Sequence, residues 1–195
     1  MAMAPIKAEE APRRALYRLM KVLRLKLGDE LTPLNDTNNI VPVPDADSYF
    51  IGSTEDDILQ VLNAKGAGCF IYSLGPSIVE APRTGDGVTR AKLHRSTIRV
   101  TFVFRQPSGY EDYAIDGYSV MPYEILYHLA DRIRVAALLT IYKYAVDSDN
   151  IHEVDITSQD TGVVVTNNTE LTGRAILDVV LLQDVEVPMP TYSVA

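Results

Sequence analysis

Residues 93–187 show, in chain order, the patterns of a strand, a turn, one long helix and two further strands. The first strand, 93–105, alternates polar and apolar residues over positions 97–102, the period of two that a half-buried strand shows. The last strand, 170–187, is apolar on both faces, so we expect it at the centre of the sheet. This order predicts an α+β fold, in which a mixed or antiparallel β-sheet packs against helices.

The long helix, predicted over residues 122–145, is apolar on two sides. One apolar stripe runs along its whole length, and in its second half the opposite side is apolar as well. Two arrangements would cover both sides: the sheet and the first helix of the same chain, or the sheet and a neighbouring subunit. We rank the intrachain arrangement first because the chain has another amphipathic helix. The residues of the second side are Val135, Leu138, Leu139 and Tyr142.

That other amphipathic helix is predicted over residues 11–27. Pro12 suits the first helical position and Gly28 suits the position after the last. Residues 1–27 hold seven basic and two acidic residues in a chain of net charge -8, so a basic helix is joined to an acidic body. The acidic body disfavours DNA binding as the main activity. The basic face is either solvated or a contact for an acidic partner, including another copy of the chain. Its residues are Arg14, Arg18, Lys21 and Arg24.

The segment between these helices predicts an arm, a short helix, a strand and a loop. Residues 29–53 are rich in proline, which indicates an extended arm with one edge strand at most. A short helix capped by Ser53 or Thr54 and ended by Gly66 follows, and then a buried strand over 69–74. Residues 81–92 form a polar, glycine-bearing loop, which is a candidate docking surface. Its candidate contact residues are Arg83, Asp86 and Arg90.

Composition predicts one globular domain over residues 1–195, with a flexible N-terminus at 1–10 and an extended C-terminal tail at 188–195. The chain is 47% apolar and 23% charged, which is ordinary for a globular protein. The N-terminus lacks the pattern of a secretory signal, and no apolar run is long enough to span a membrane. We therefore expect a soluble protein that is intracellular when made.

Catalytic and ligand-binding patterns are absent from the sequence. The three histidines, His94, His128 and His152, include no pair at i, i+4 spacing, so no local zinc pair is indicated. There is no Gly-x-Ser-x-Gly elbow and no phosphate-binding GxxxxGK[ST] loop. The lone Cys69 is typical of a small buried apolar residue. We expect no catalytic residue, cofactor or metal, and we interpret the chain as a structural protein rather than an enzyme.

The order of these elements resembles that of the tail terminator proteins of long-tailed bacteriophages, the minor tail protein U type. The resemblance is carried by the order of elements rather than by a short motif, and it extends over most of residues 11–187. Its carriers are the helix 11–27, the strand and loop 68–92, the strand 96–104, the helix 122–145 and the closing strand 171–180.

This resemblance implies a ring, commonly a hexamer, that caps the finished tail tube, stops its polymerisation and offers a docking surface to the neck on the head side. The expected partners are other copies of the chain, the tail tube protein, neck or connector proteins and, where present, the sheath. DNA would pass through the lumen without sequence-specific contacts, and no membrane is involved. The implied location is the tail or neck of the virion, and the host cytoplasm during assembly.

Two alternatives stay open. A head-tail neck adaptor would share the ring and the lumen but bind partners on the portal side. A small ligand-binding or enzymatic α+β domain would instead be a monomer or dimer with one deep pocket.

Overall fold

The computed structural model describes residues 6–7, 10–34, 43–52, 55–74, 78–79, 89–106, 114–115, 118–119, 121–146, 151–166 and 170–188. Within them lie three α-helices and nine strands. The helices are α1 (Ala11–Leu31), α2 (Glu55–Lys65) and α3 (Pro122–Tyr144). The strands are β1 (Ile6–Lys7), β2 (Tyr49–Ile51), β3 (Ala67–Ser73), β4 (Ile78–Val79), β5 (Thr89–Arg105), β6 (Ala114–Ile115), β7 (Tyr118–Ser119), β8 (Ile151–Thr166) and β9 (Glu170–Pro188).

Seven of the strands form one mixed sheet. β9 lies inside it, antiparallel to β5 along one side and to β8 along the other, which confirms the predicted central position of the last strand. On its other side β5 pairs with β3 in antiparallel orientation, and β3 pairs with β2, which is parallel to it and lies at the edge of the sheet. The short β1 and β4 pair with β9 and β5, and β6 with β7 form a separate hairpin. The sheet and its helices confirm the predicted α+β class.

Helices α1 and α3 pack side by side on one face of the sheet. Alternate side chains of β5 and β9 point to that face, as the pleat requires, and Phe102, Phe104 and Leu177 are fully buried there. On the opposite face α2 covers a smaller cluster in which Leu62 contacts Phe70. Each such side chain contributes about 1.5–3 kcal/mol when it leaves water, so these two apolar contacts hold the helices on the sheet.

The predicted end of the first helix at Gly28 is wrong. The helix continues through Gly28 to Leu31, and the Thr32 hydroxyl donates to the Gly28 carbonyl at 2.8 Å. A glycine inside a helix costs about 1 kcal/mol relative to alanine. Leu31 is 1% exposed, and its burial contributes more than that cost. Tertiary packing therefore overrides the local stop signal.

The segment after α1 follows the prediction in part. A 3₁₀-helix over Thr32–Leu34 follows the last turn of α1, so the expected arm at 29–53 begins as helix. β2 is its single described strand and lies at the edge of the sheet, as expected. The predicted helix end at Gly66 is confirmed, with α2 ending at Lys65 and a φ of 76° at the glycine. The proposed caps Ser53 and Thr54 lie outside the described residues.

Part of the predicted loop at 81–92 is strand, and residues 81–88 lie outside the described residues. β5 begins at Thr89 and pairs with the end of β9, so Arg90 lies opposite Val187 within the sheet. At the N-terminus, expected to be flexible over 1–10, Ile6–Lys7 pair with β9. The hairpin of β6 and β7 had no sequence prediction. The tail at 189–195 lies outside the described residues.

Candidate interaction surface

Two reactive side chains, His94 and Cys69, are buried on the face of the sheet that the helices cover. His94 is 3% exposed, and its Nδ1 lies 3.2 Å from the Ser96 hydroxyl. Burial lowers the pKa of His94, because the charged ring would lose its hydration. Cys69 is fully buried, and burial raises the pKa of its thiol, which makes it a poor nucleophile. Among the described residues, no group of three or more His, Cys, Asp or Glu side chains is arranged to hold a metal ion.

The outward side of α1 combines basic side chains with exposed apolar ones. Tyr17 is 47% exposed and Leu25 is 63% exposed. The Arg13 guanidinium carbon lies 5.5 Å from the centre of the Tyr17 ring, a cation–π distance. A shallow hollow of about 410 Å³ runs along this side, lined by Tyr17, Met20, Lys21, Arg24 and Leu25. We call the following residues the α1 outer face: Arg13, Arg14, Tyr17, Lys21, Arg24 and Leu25.

The cations of the α1 outer face differ in their partners. Arg14 pairs with Glu10 at 2.9 Å, one helical turn earlier. Lys21 and Arg24 form no ion pair with any described residue. The pKa of the nearby Asp47 is lowered mainly by a hydrogen bond from Lys65, with a smaller contribution from Arg24. Two positive charges on this face are therefore available to a partner.

Arg18, predicted to belong to the basic face, lies instead between the helices. Its Nη2 donates to the Tyr144 carbonyl at 2.7 Å and its Nε to the Ala145 carbonyl at 3.4 Å. The last carbonyls of a helix have no partner within the helix and carry partial negative charge. Arg18 supplies both the hydrogen bonds and the compensating charge. It joins α1 to the end of α3 within the same chain.

A second polar contact joins the same two helices. The Glu30 carboxylate accepts from Lys143 Nζ at 2.6 Å and from the Tyr144 hydroxyl at 3.3 Å. The side chain of Glu30 is only 10% exposed, so this pairing satisfies a charge that α1 carries into the interior. The hydrogen bond raises the pKa of Lys143.

The side of α3 that faces away from the sheet is apolar in its second half. Tyr142 is 46% exposed and Val146 is 43% exposed, and Val135 and Leu139 are half-buried. Val135, Leu139 and Tyr142 recur at positions i, i+4 and i+7, which places them along one line on the helix, and Val146 lies two residues beyond its last residue, Tyr144. We call Val135, Leu139, Tyr142 and Val146 the α3 outer stripe. Leu138 differs from them, because it packs against the main core.

Helix α3 is covered by the rest of the chain on its main stripe and on one flank. The sheet and α1 cover its main stripe, where Leu129, Ile133 and Ala137 are at most 1% exposed. Two residues of the predicted second side differ: Leu138 packs against the core of the same chain, whereas Tyr142 is about half exposed. The intrachain arrangement thus accounts for one flank of the helix, and the α3 outer stripe stays accessible to a partner.

Arg83 and Asp86 lie outside the described residues, and Arg90 lies in β5. Tyr17, Leu25 and Val146 were not among the predicted interface residues. Tyr17 and Leu25 each lie four residues from the predicted cation Lys21, and such apolar neighbours on a charged helix side were the available signal.

Comparison with known proteins returned no family model that matches the sequence and no match among curated proteins. Of the helices described, none has the length and apolar character needed to cross a bilayer.

Proposed function

We propose that this protein is a structural virion protein of a long-tailed bacteriophage. Copies of the chain assemble into a ring, commonly a hexamer, that caps the tail tube, ends its polymerisation and provides the docking surface for the neck. The resemblance in element order motivates this proposal. The observation that carries it is the α3 outer stripe, a set of apolar residues of which Tyr142 and Val146 are more than 40% exposed in the single chain.

An exposed apolar group of this kind favours assembly. Single exposed apolar residues are ordinary on protein surfaces, but aligned ones mark contact sites. Three of the four residues of the α3 outer stripe lie on a helix that is fixed to the sheet by a fully buried face, so they present a preformed surface. A preformed surface loses little conformational entropy on binding, which suits a protein that must close a tube in a defined geometry.

Mass measurement by light scattering, with negative-stain images, tests the assembly. We expect ring particles whose mass is a small multiple of 21.6 kDa. A strictly monomeric protein at micromolar concentration would contradict the proposal. Leu139→Asp and Tyr142→Asp are expected to give folded chains that assemble less. Leu138→Asp is the matched control: it places a charge against the core and is expected to lower stability.

A second assay tests the role in the tail. Purified tail tube protein is allowed to polymerise with and without the ring, and tube lengths are measured by electron microscopy. A terminator shortens the tubes and is seen at one tube end. A ring that leaves tube length unchanged but binds connector protein would be a neck adaptor instead.

A further inference from the structure

Helices α1 and α3 cover different halves of the sheet. α1 packs over β2, β3 and β5, whereas α3 packs over β8 and β9. β8 is the outer strand beyond β9. The α1 outer face and the outer edge of β8 therefore lie toward opposite sides of the sheet, where they cannot meet within one chain.

The β8 side is acidic. Glu153, Asp155 and Asp160 are exposed, and each pairs in register with a residue of β9 that points away from the helices: Leu182, Val180 and Ile176. Asp160 forms an ion pair with Arg174, whose Nη2 lies 3.8 Å from the Asp160 Oδ2. Val164, on the same face of the strand, is 36% exposed and adds an apolar contact. We call Glu153, Asp155, Asp160 and Val164 the β8 acidic edge.

The α1 outer face and the β8 acidic edge match in chemistry and in length. Each combines charged side chains with exposed apolar ones. On α1, Arg13 and Arg24 are separated by about 16 Å at 1.5 Å per residue. On β8, Glu153 and Asp160 are separated by roughly 20 Å, after allowance for the register shift between Ile156 and Ser158. The positive and negative side chains can thus face one another along both elements.

We propose that the α1 outer face of one copy docks on the β8 acidic edge of the next copy. This contact joins two different surfaces, so it is heterologous and repeats head to tail, which generates a closed ring when the rotation per subunit closes. The contact also lies along β8, whose side away from β9 pairs with no described strand, and an unpaired edge strand otherwise invites unwanted strand pairing. This inference rests on the proposed ring function and specifies which surfaces build the ring.

Paired charge reversals test the contact. The first variant carries Lys21→Glu and Arg24→Glu, and the second carries Glu153→Lys and Asp155→Lys. All four side chains are exposed, and circular dichroism with thermal melting checks that each variant folds. Because each variant brings like charges together, we expect each alone to associate at least tenfold more weakly than the unmodified chain in about 20 mM salt.

Mixing the two variants is the decisive measurement. In a mixture, the reversed α1 of one variant meets the reversed β8 of the other, and every second contact retains its original charges. We expect the equimolar mixture to recover assemblies of the original mass. The chain carrying all four substitutions keeps the original net charge and is expected to assemble by itself, which controls for net charge.

Different outcomes separate this inference from the proposed function. Association of both variants at the original strength overturns the contact but leaves the ring intact. Failure of the mixture and of the fourfold variant also overturns it, as would an α1 variant that assembles normally but loses binding to DNA or to a different protein. A monomeric unmodified chain overturns the ring itself.

Discussion

Gly173 lies beneath the ring of Phe104, and replacement of this glycine by alanine tests the packing of the sheet centre. The two residues are directly opposite each other on β9 and β5. A Cβ added at Gly173 would lie 2.4, 2.5 and 3.1 Å from three carbons of the Phe104 ring. Ordinary carbon contacts are about 3.5–4.0 Å, so the ring must move by about 1 Å. Phe104 is fully buried, so its ring can move only by displacing other core side chains.

The size of the effect follows from two opposing terms. Overpacking of a core costs about 1–3 kcal/mol, whereas loss of glycine freedom in the unfolded chain contributes about 0.4–1 kcal/mol in favour of alanine. Gly173→Ala is therefore expected to lower the free energy of unfolding by about 1–2 kcal/mol. For a chain of 195 residues this is a fall in Tm of about 2–8 °C.

Urea unfolding followed by far-ultraviolet circular dichroism measures this change, since the chain has no tryptophan. Gly162→Ala is the matched control, because Gly162 lies in the adjacent strand β8 and an added Cβ there meets nothing within 4 Å. Phe104→Leu in the Gly173→Ala background should show a favourable coupling, as the smaller side chain relieves the overlap. The reasoning is refuted if Gly173→Ala is as stable as Gly162→Ala.

Three further predictions concern a helix, an ion pair and pH. Gly28→Ala should stabilise the protein by about 1 kcal/mol in urea unfolding, because Gly28 is inside α1 with open space around it; a loss of stability would argue against this placement. Arg99 donates to both carboxylate oxygens of Asp178 at 2.7 and 2.8 Å. Arg99→Ala should therefore cost about 2 kcal/mol, since the Asp178 side chain is only 10% exposed, and a double replacement by apolar residues should recover part of the loss. Burial lowers the pKa of His94 below its ordinary 6.5, so the unfolded chain takes up the proton first and stability should fall as pH drops below 6.5; His94→Gln should reduce that pH dependence, and an unchanged pH profile would contradict the assignment.

The partners of the basic residues on α1 could not be predicted from their positions along the sequence. Arg14, Arg18, Lys21 and Arg24 share one side of a predicted helix, and helical spacing alone treats them alike. In the structure Arg14 pairs with Glu10, Arg18 binds carbonyls at the end of α3, and Lys21 and Arg24 have no described ion-pair partner. The difference arises because α3 lies against only one flank of α1.

The β8 acidic edge was equally hidden from sequence patterns. Acidic residues on a strand are common, and alternation alone shows only that they share a face. Their meaning comes from the position of β8 at the outside of the sheet, on the side opposite α1. That position depends on long-range pairing with β9, which no local pattern specifies.

Local patterns by themselves determined the α+β class, the central position of β9, the long helix α3 and the end of α2 at Gly66. These features follow from apolar periodicity and from glycine conformation, which act over a few residues. Tertiary structure alone decided that α1 continues past Gly28, that Arg18 is used within the chain and that the α3 outer stripe stays exposed. Each of those features depends on whether a distant surface lies beside the residue. At the end of α1, for example, the burial of Leu31 outweighs a local preference of about 1 kcal/mol at Gly28.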